Sequence, residues 1–189
     1  MGSASTDTRN LIGPSCYSET RRARPLLVAG IDLGGTAINY TLVNEQEKFL
    51  IEGLFEHPAL AREGPAICLQ QIADGLLRVT EKVGVSPTEI TVVGLDTPGP
   101  ASARGVLSAR GSTNFVHPDW AGFDIRGKLA EKLGIPVIYL NDGNAGALWG
   151  HFVIFGAHTR ATSISAIIGT GLGGGVIVDG NVVEGRKGF

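Results

Sequence analysis

Cysteine is almost missing from this chain, with two in 189 residues, Cys16 and Cys68. They have neither the density of a disulfide-stapled scaffold nor metal-ligand spacing, so they exclude a secreted cystine framework and point to a reducing cytoplasm. Long apolar runs are missing too, which argues against a membrane-spanning protein. So is an excess of basic charge: 16 Lys and Arg stand against 18 Asp and Glu, a net charge of −2 with no basic stripe. Nucleic-acid binding therefore has no electrostatic footprint here. What the chain does have is glycine, 28 residues of it, about twice the ordinary share. The glycines gather at the ends of strand-like runs, which favours an α/β protein with functional turns over a flexible low-complexity chain.

The stretch Leu26 to Val43 organises the rest. Leu26-Leu27-Val28-Ala29 leads into Asp32 and the pair Gly34-Gly35, and Ile38, Tyr40, Leu42 and Val43 resume a strand pattern, giving strand, glycine turn, strand. Bare backbone at Gly34 and Gly35 lets N–H groups approach an anion closely, while Asp32 at the strand end can hold a hydrated cation. That pairing suits a metal-bound polyphosphate. The same glycines would also serve an ordinary hairpin.

Residues 1–24 show no hydrophobic period and read as a disordered leader. Arg21-Arg22 precede an apolar run too short, and too soon interrupted by Asp32, for a twin-arginine export signal. Phe49 to His57 reads as a third strand, and Pro65 to Val83 as an amphipathic helix ended by Gly84, with Ile72, Leu76, Val79 and Val83 at helical spacing. A buried strand follows at Ile90 to Leu95, ending in the rigid turn Asp96 to Pro100. Ligands in open α/β sheets gather at such strand ends. The irregular segment Ala101 to Gly122, with Asn114, His117, Asp119 and Trp120, reads as a binding loop. Ile125, Leu129 and Leu133 mark a short helix closed by Gly134, and Pro136 to Leu140 is a strand that delivers Asn141-Asp142-Gly143-Asn144 to its end. Asn141 or Asp142 caps the next helix, whose apolar positions are Ala145, Leu148, Phe152 and Phe155. A carboxylate at this mouth can alternatively accept a proton from a substrate hydroxyl.

The last stretch repeats the opening design. Ser163 to Ile168 meets a glycine turn, Gly169 to Gly175, and Val176-Ile177-Val178 enters an Asp179-Gly180 hairpin. Gly169, Gly171 and Gly174 match the G-x-G-x-x-G dinucleotide fingerprint formally, but a strand and a hairpin follow where that fingerprint needs a helix, which counts against a Rossmann site. Two strand–glycine–strand units about 135 residues apart suggest two similar halves gripping a nucleotide. The residues alone lead to nucleotide-dependent phosphotransfer or hydrolysis.

From about Leu27 onward the chain resembles the ROK family of the actin-like ATPase superfamily. The likeness rests on GIDLGGT at 30–36, TPGP at 97–100, the Asn114 to Trp120 region, PVIYLNDGNAGAL at 136–148 and GTGLGGGVIVDG at 169–180. It implies an α/β, ribonuclease H-like fold, with an N-terminal domain over 25–158 and the opening strands of a second over 159–189. It further implies an ATP- and Mg²⁺-dependent hexose kinase, most readily a glucokinase. Gly34, Gly35 and Thr36 would form the first phosphate loop, Asp32 would hold Mg²⁺ through water, and Thr170, Gly171, Gly173 and Gly174 would close on ATP from the other side. Asp142 would be the base on the sugar hydroxyl, with Gly99, Asn114 and Asn141 lining the sugar pocket. The partners implied are sugar and ATP, with neither nucleic acid nor membrane, and a homodimer at full length. The chain departs from the family at Gly150, where a glutamate is usual, at Asp96, where a small or apolar residue is usual, and in a loop before Trp120 about two residues longer. It also stops before the family's Glu-x-Gly-His sugar contacts, zinc motif and adenosine segment, so the resemblance implies a truncated kinase of weak or no activity. A sugar-sensing regulator of the family's repressor branch and an inactive remnant are the competing readings.

Overall fold

Period-two alternation beginning at Leu27 becomes two antiparallel strands, β1 (Leu27–Leu33) and β2 (Ala37–Asn44), on either side of the first glycine turn. They belong to a computed structural model that describes residues 25–108, 114–157, 159–168 and 172–185. The expected leader, 1–24, lies outside the described residues. A short β3 (Phe55–Pro58) pairs with β2, and β4 (Val92–Thr97) and β5 (Val137–Asn141) extend the other edge in parallel with β1. The sheet order is β3, β2, β1, β4, β5.

Alternate residues share one face of a strand, so Ala29, Ile31 and Leu33, Ile38, Tyr40 and Leu42, Val93 and Leu95, and Val137 and Tyr139 form a single buried surface. Two helices cover it, α1 (Pro65–Val83) and α2 (Ile125–Leu133). α1 begins on Pro65 and ends at Gly84, whose φ of 74° lets its N–H turn back to the Glu81 and Thr80 carbonyls. It lies close on β2: the Tyr40 hydroxyl donates to the Ile72 carbonyl at 3.0 Å, and the space a side chain at Gly75 would need is filled by the Tyr40 ring. The opposite face carries Gly30, Asp32, Asn39, Gly94, Asp96 and Ile138, which line an open cavity of about 340 Å³.

Two expected strands are corrected. The run Phe49 to His57 pairs only over Phe55–Pro58, because Gly53 turns with φ at 76° and leaves Phe49 a single bridge to Val43. The strand expected at Ile90 to Leu95 is displaced to Val92–Thr97. Pro87–Glu89 forms a 3₁₀ turn closed by a Ser86/Glu89 capping box, and Ile90 ends that turn.

From β5 the chain passes directly into α3 (Asp142–Phe155) and then into a second antiparallel sheet, β6 (Ser163–Ile168), β7 (Leu172–Val178) and β8 (Asn181–Val182). The hairpin expected at Asp179-Gly180 is present, with φ values of 50° and 76° that suit a primed turn. The face expected to bury α3 is corrected: the buried residues are Gly143, Asn144, Ala147 and His151, while Phe155 is exposed. Small residues win because β6 and β7 approach the helix closely; Gly175 of β7 lies against the Ala147 methyl and the Asn144 side chain, and Gly146 against Ile167 of β6.

Candidate active site

Parallel strands put their carboxyl ends at one edge, and here three neighbours carry polar residues at or next to those ends. In register, Asp32 of β1 stands opposite Asp96 of β4, and Thr97 opposite Asn141 of β5. The Asn39 amide donates to Asp32 Oδ2 at 3.1 Å and fixes that carboxylate, which remains exposed. The Asp96 carboxyl is pushed up to about 8, first by burial and then by the negative charges of Asp32 and Asp142 and a hydrogen bond with Asp32. Near neutral pH it holds a proton that ordinary aspartates have lost.

Beside Asp32, the first glycine turn is closed by the Gly34 N–H donating to the Ala37 carbonyl at 2.9 Å. Gly35 has no room for a side chain, since its Cβ would fall on the side chain of Asn114. The long loop is thus seated on the turn. Its lower half is anchored by the buried Trp120, whose indole N–H donates to the Ala61 carbonyl at 2.8 Å.

At the end of β4, buried Thr97 shares a hydrogen bond of 2.8 Å with the Tyr139 hydroxyl, and a Cβ on Gly99 would lie 2.9 Å from Asn141 Nδ2. Burial raises the Tyr139 phenol above its ordinary value. The β5–α3 junction assigns its two polar residues different tasks. Asn141 caps the helix, its Oδ1 accepting from the N–H groups of Gly143 at 3.0 Å and Asn144 at 3.4 Å. Asp142 opens the helix exposed to solvent, with Oδ1 held at 2.7 Å by the Gly143 N–H.

The second glycine stretch is a correction in form. Gly173, Gly174 and Gly175 are not turn residues but belong to β7, paired with Ile167, Ala166 and Ser165. Gly174 meets α3 directly: a Cβ on Gly143 would lie 2.7 Å from the Gly174 carbonyl oxygen and 3.0 Å from its nitrogen. Gly173 has open space beside it. Thr170 and Gly171 lie outside the described residues.

The residues singled out from sequence therefore fall into two linked groups. Asp32, Gly34, Gly35, Thr36 and Asn114 lie together at the β1–β2 turn, and Gly99, Asn141 and Asp142 lie together at the ends of β4 and β5, with Asp96 between the groups. Gly174 adjoins the residue after Asp142. Sequence reasoning missed Asn39, Thr97, Tyr139 and Arg62. Arg62 stands on the 3₁₀ turn Ala61–Glu63 and donates to Asn114 Oδ1 through Nε at 3.2 Å and Nη2 at 3.0 Å.

The model of the ROK family matches residues 28–189. A glucokinase of Thermotoga maritima is 34% identical over 165 residues, which are 87% of this chain and 48% of that protein. A xylose repressor of Bacillus spizizenii is 27% identical, over 85% of this chain and 39% of its own. Among solved structures, a ROK hexokinase from Thermus thermophilus matches with a TM-score of 0.69 and 31% identity, over 86% of this chain and 50% of that one. A ROK family glucokinase from Streptomyces griseus, in complex with glucose and AMPPNP, matches with a TM-score of 0.64 and 28% identity, over 86% and 47%. The chain spans about half the length of the curated relatives it matches. These structures carry the actin-like ATPase fold, and the sheet and helix arrangement described above is that fold.

Proposed function

The chain belongs to the ROK family of sugar kinases and their regulatory relatives, and from that premise we propose that the protein carrying it transfers the γ-phosphoryl group of ATP to a hexose hydroxyl. Glucose is the first substrate to test, with glucose 6-phosphate as product. One observation carries the reading: Asn141, not Asp142, caps α3, so the exposed acid at the sheet mouth is free for chemistry. Asp142 accepts the hydroxyl proton while the sugar oxygen bonds to the γ-phosphorus and the bond from that phosphorus to the ADP oxygen breaks. With Oδ1 tied to the Gly143 N–H, Oδ2 is the oxygen that takes the proton.

The remaining residues position and neutralise. Gly99, Asn114 and Asn141 line the sugar. With the Gly34 N–H spent on closing the first turn, Gly35 and Thr36 offer the phosphates backbone N–H groups beside the bare Gly34, and the second glycine stretch, with Thr170, Gly171, Gly173 and Gly174, binds them from the other side. The donor set at the first turn suits a hard cation: Asp32 is an exposed carboxylate, and the buried Oδ1 of Asn39 beside it has no hydrogen-bond partner among the described residues. Mg²⁺ held through water by Asp32 would neutralise phosphate charge.

The test is glucose-dependent ADP release by the protein expressed from its complete reading frame. Asp142→Asn is expected to lower kcat by about 10²–10⁴-fold, the ordinary worth of a general base, with the KM for ATP little changed. Near-normal turnover would remove Asp142 from this role. Similarity to a xylose repressor favours a second reading, a sugar sensor; calorimetry showing sugar binding with no ADP release would select it.

A further inference from the structure

We propose that Arg62 is a positioning residue of the sugar site, one that holds the Asn114 amide with its N–H donors turned toward the cleft beside Gly35. The inference rests on the kinase reading and deepens it. A guanidinium has donors only, so the amide atom that meets both Nε and Nη2 of Arg62 must be the oxygen. The Asn114 side chain also lies along Gly35, where a Cβ would fall nearest the Asn114 Cβ and then Nδ2, at 2.5 Å, so the nitrogen end of the amide is the one on the Gly35 side. Asn114 is thereby fixed from two sides, by a fork of donors on one and bare backbone on the other.

Arg62 is itself held in place through its main chain. The segment before it is tied to the first glycine turn by the Ala59 N–H donating to the Thr36 carbonyl at 2.9 Å. The segment around it is tied to the long loop by Trp120 on the Ala61 carbonyl at 2.8 Å. Leu60, with φ at 50°, makes the bend between these anchors. The Arg62 side chain is exposed, and exposed polar pairs contribute little to stability. Its work is orientation: an amide free to rotate by half a turn offers a sugar oxygen either a donor or an acceptor, and an amide locked by Arg62 offers donors alone. The specificity read by Asn114 is then for a hydroxyl that accepts.

Steady-state kinetics on Arg62→Met, Arg62→Lys, Asn114→Ala and the Arg62→Met/Asn114→Ala double variant test this, with thermal melting measured alongside. Arg62→Met is expected to raise the hexose KM by about tenfold, leaving kcat and the KM for ATP within about twofold, a pattern of lost ground-state positioning. Arg62→Lys, which keeps one donor, should lie between Arg62→Met and the parent. In the Asn114→Ala background Arg62→Met should add nothing, since the two act as a unit. If Asn114→Ala shifts the hexose KM and Arg62→Met does not, or if the two effects multiply, the positioning role is overturned while the sugar-site reading stands. If Asn114→Ala leaves the hexose KM unchanged, both fail. Equal rises in the KM for hexose and ATP with a lowered melting temperature would assign Arg62 a structural role instead.

Discussion

Asp96 is the residue whose ionisation sets the character of this site. Its folded value near 8 lies above the ordinary 3.8, so the native state keeps a proton that the unfolded chain releases. The stabilisation is complete below about pH 4 and is lost progressively as pH rises through about 8, above which both states are ionised. Asp96→Asn, which imitates the protonated carboxyl, is expected to melt about 2–4 °C higher than the parent at pH 8 without added cation, a gain of about 1 kcal/mol, and to show no such gain at pH 4. Gly35 gives a second residue-scale test. Gly35→Ala puts a methyl where the Asn114 side chain lies, so the hexose KM should rise by about tenfold or more, with near-parent melting if the loop yields. Asp32, Asn141 and Asp142 were legible in the sequence because each ends an apolar strand run. Arg62 was not: its partner is 52 residues away, and no periodicity links a turn arginine to a loop asparagine.

The elements were legible where one rule dominated. α1 follows the expected span because its apolar spacing, its first-turn proline and its terminal glycine all agree. α3 was read correctly as a helix but with the wrong buried face. Spacing selects large apolar residues, whereas closeness to β7 demands small ones at Gly143 and Ala147, and closeness to β6 one at Gly146. The glycines of β7 misled for the same reason: they read as a turn, but all three are strand residues, and Gly174 and Gly175 are pressed against a neighbouring strand and a helix. Gly143→Ala brings a methyl to 2.7 Å from the Gly174 carbonyl. It is expected to destabilise the protein by about 1–3 kcal/mol, as overpacking does, measured by urea unfolding. An unchanged midpoint would mean that α3 and β7 part easily.

Over the whole molecule, the repeated strand–glycine–strand design was visible in the sequence, whereas the parallel pairing of β1, β4 and β5 came only with the structure. What joins the two sheets was not visible, because it depends on backbone contact between residues without side chains. α3 belongs to both, continuing β5 of the first sheet and packing on β6 and β7 of the second. No described helix is long and apolar enough to cross a membrane.

That shared helix sets where novelty can enter. Asp142 at its tip cannot move without disturbing the contact of Gly143 with Gly174, so on the proposed reading mutation on that side threatens turnover itself. The loop carrying Asn114 and the turn carrying Arg62 sit apart from that contact, so substitutions there leave it intact. On the kinase reading proposed above, changes of diet, so to speak, should be written in those two segments rather than at the helix tip.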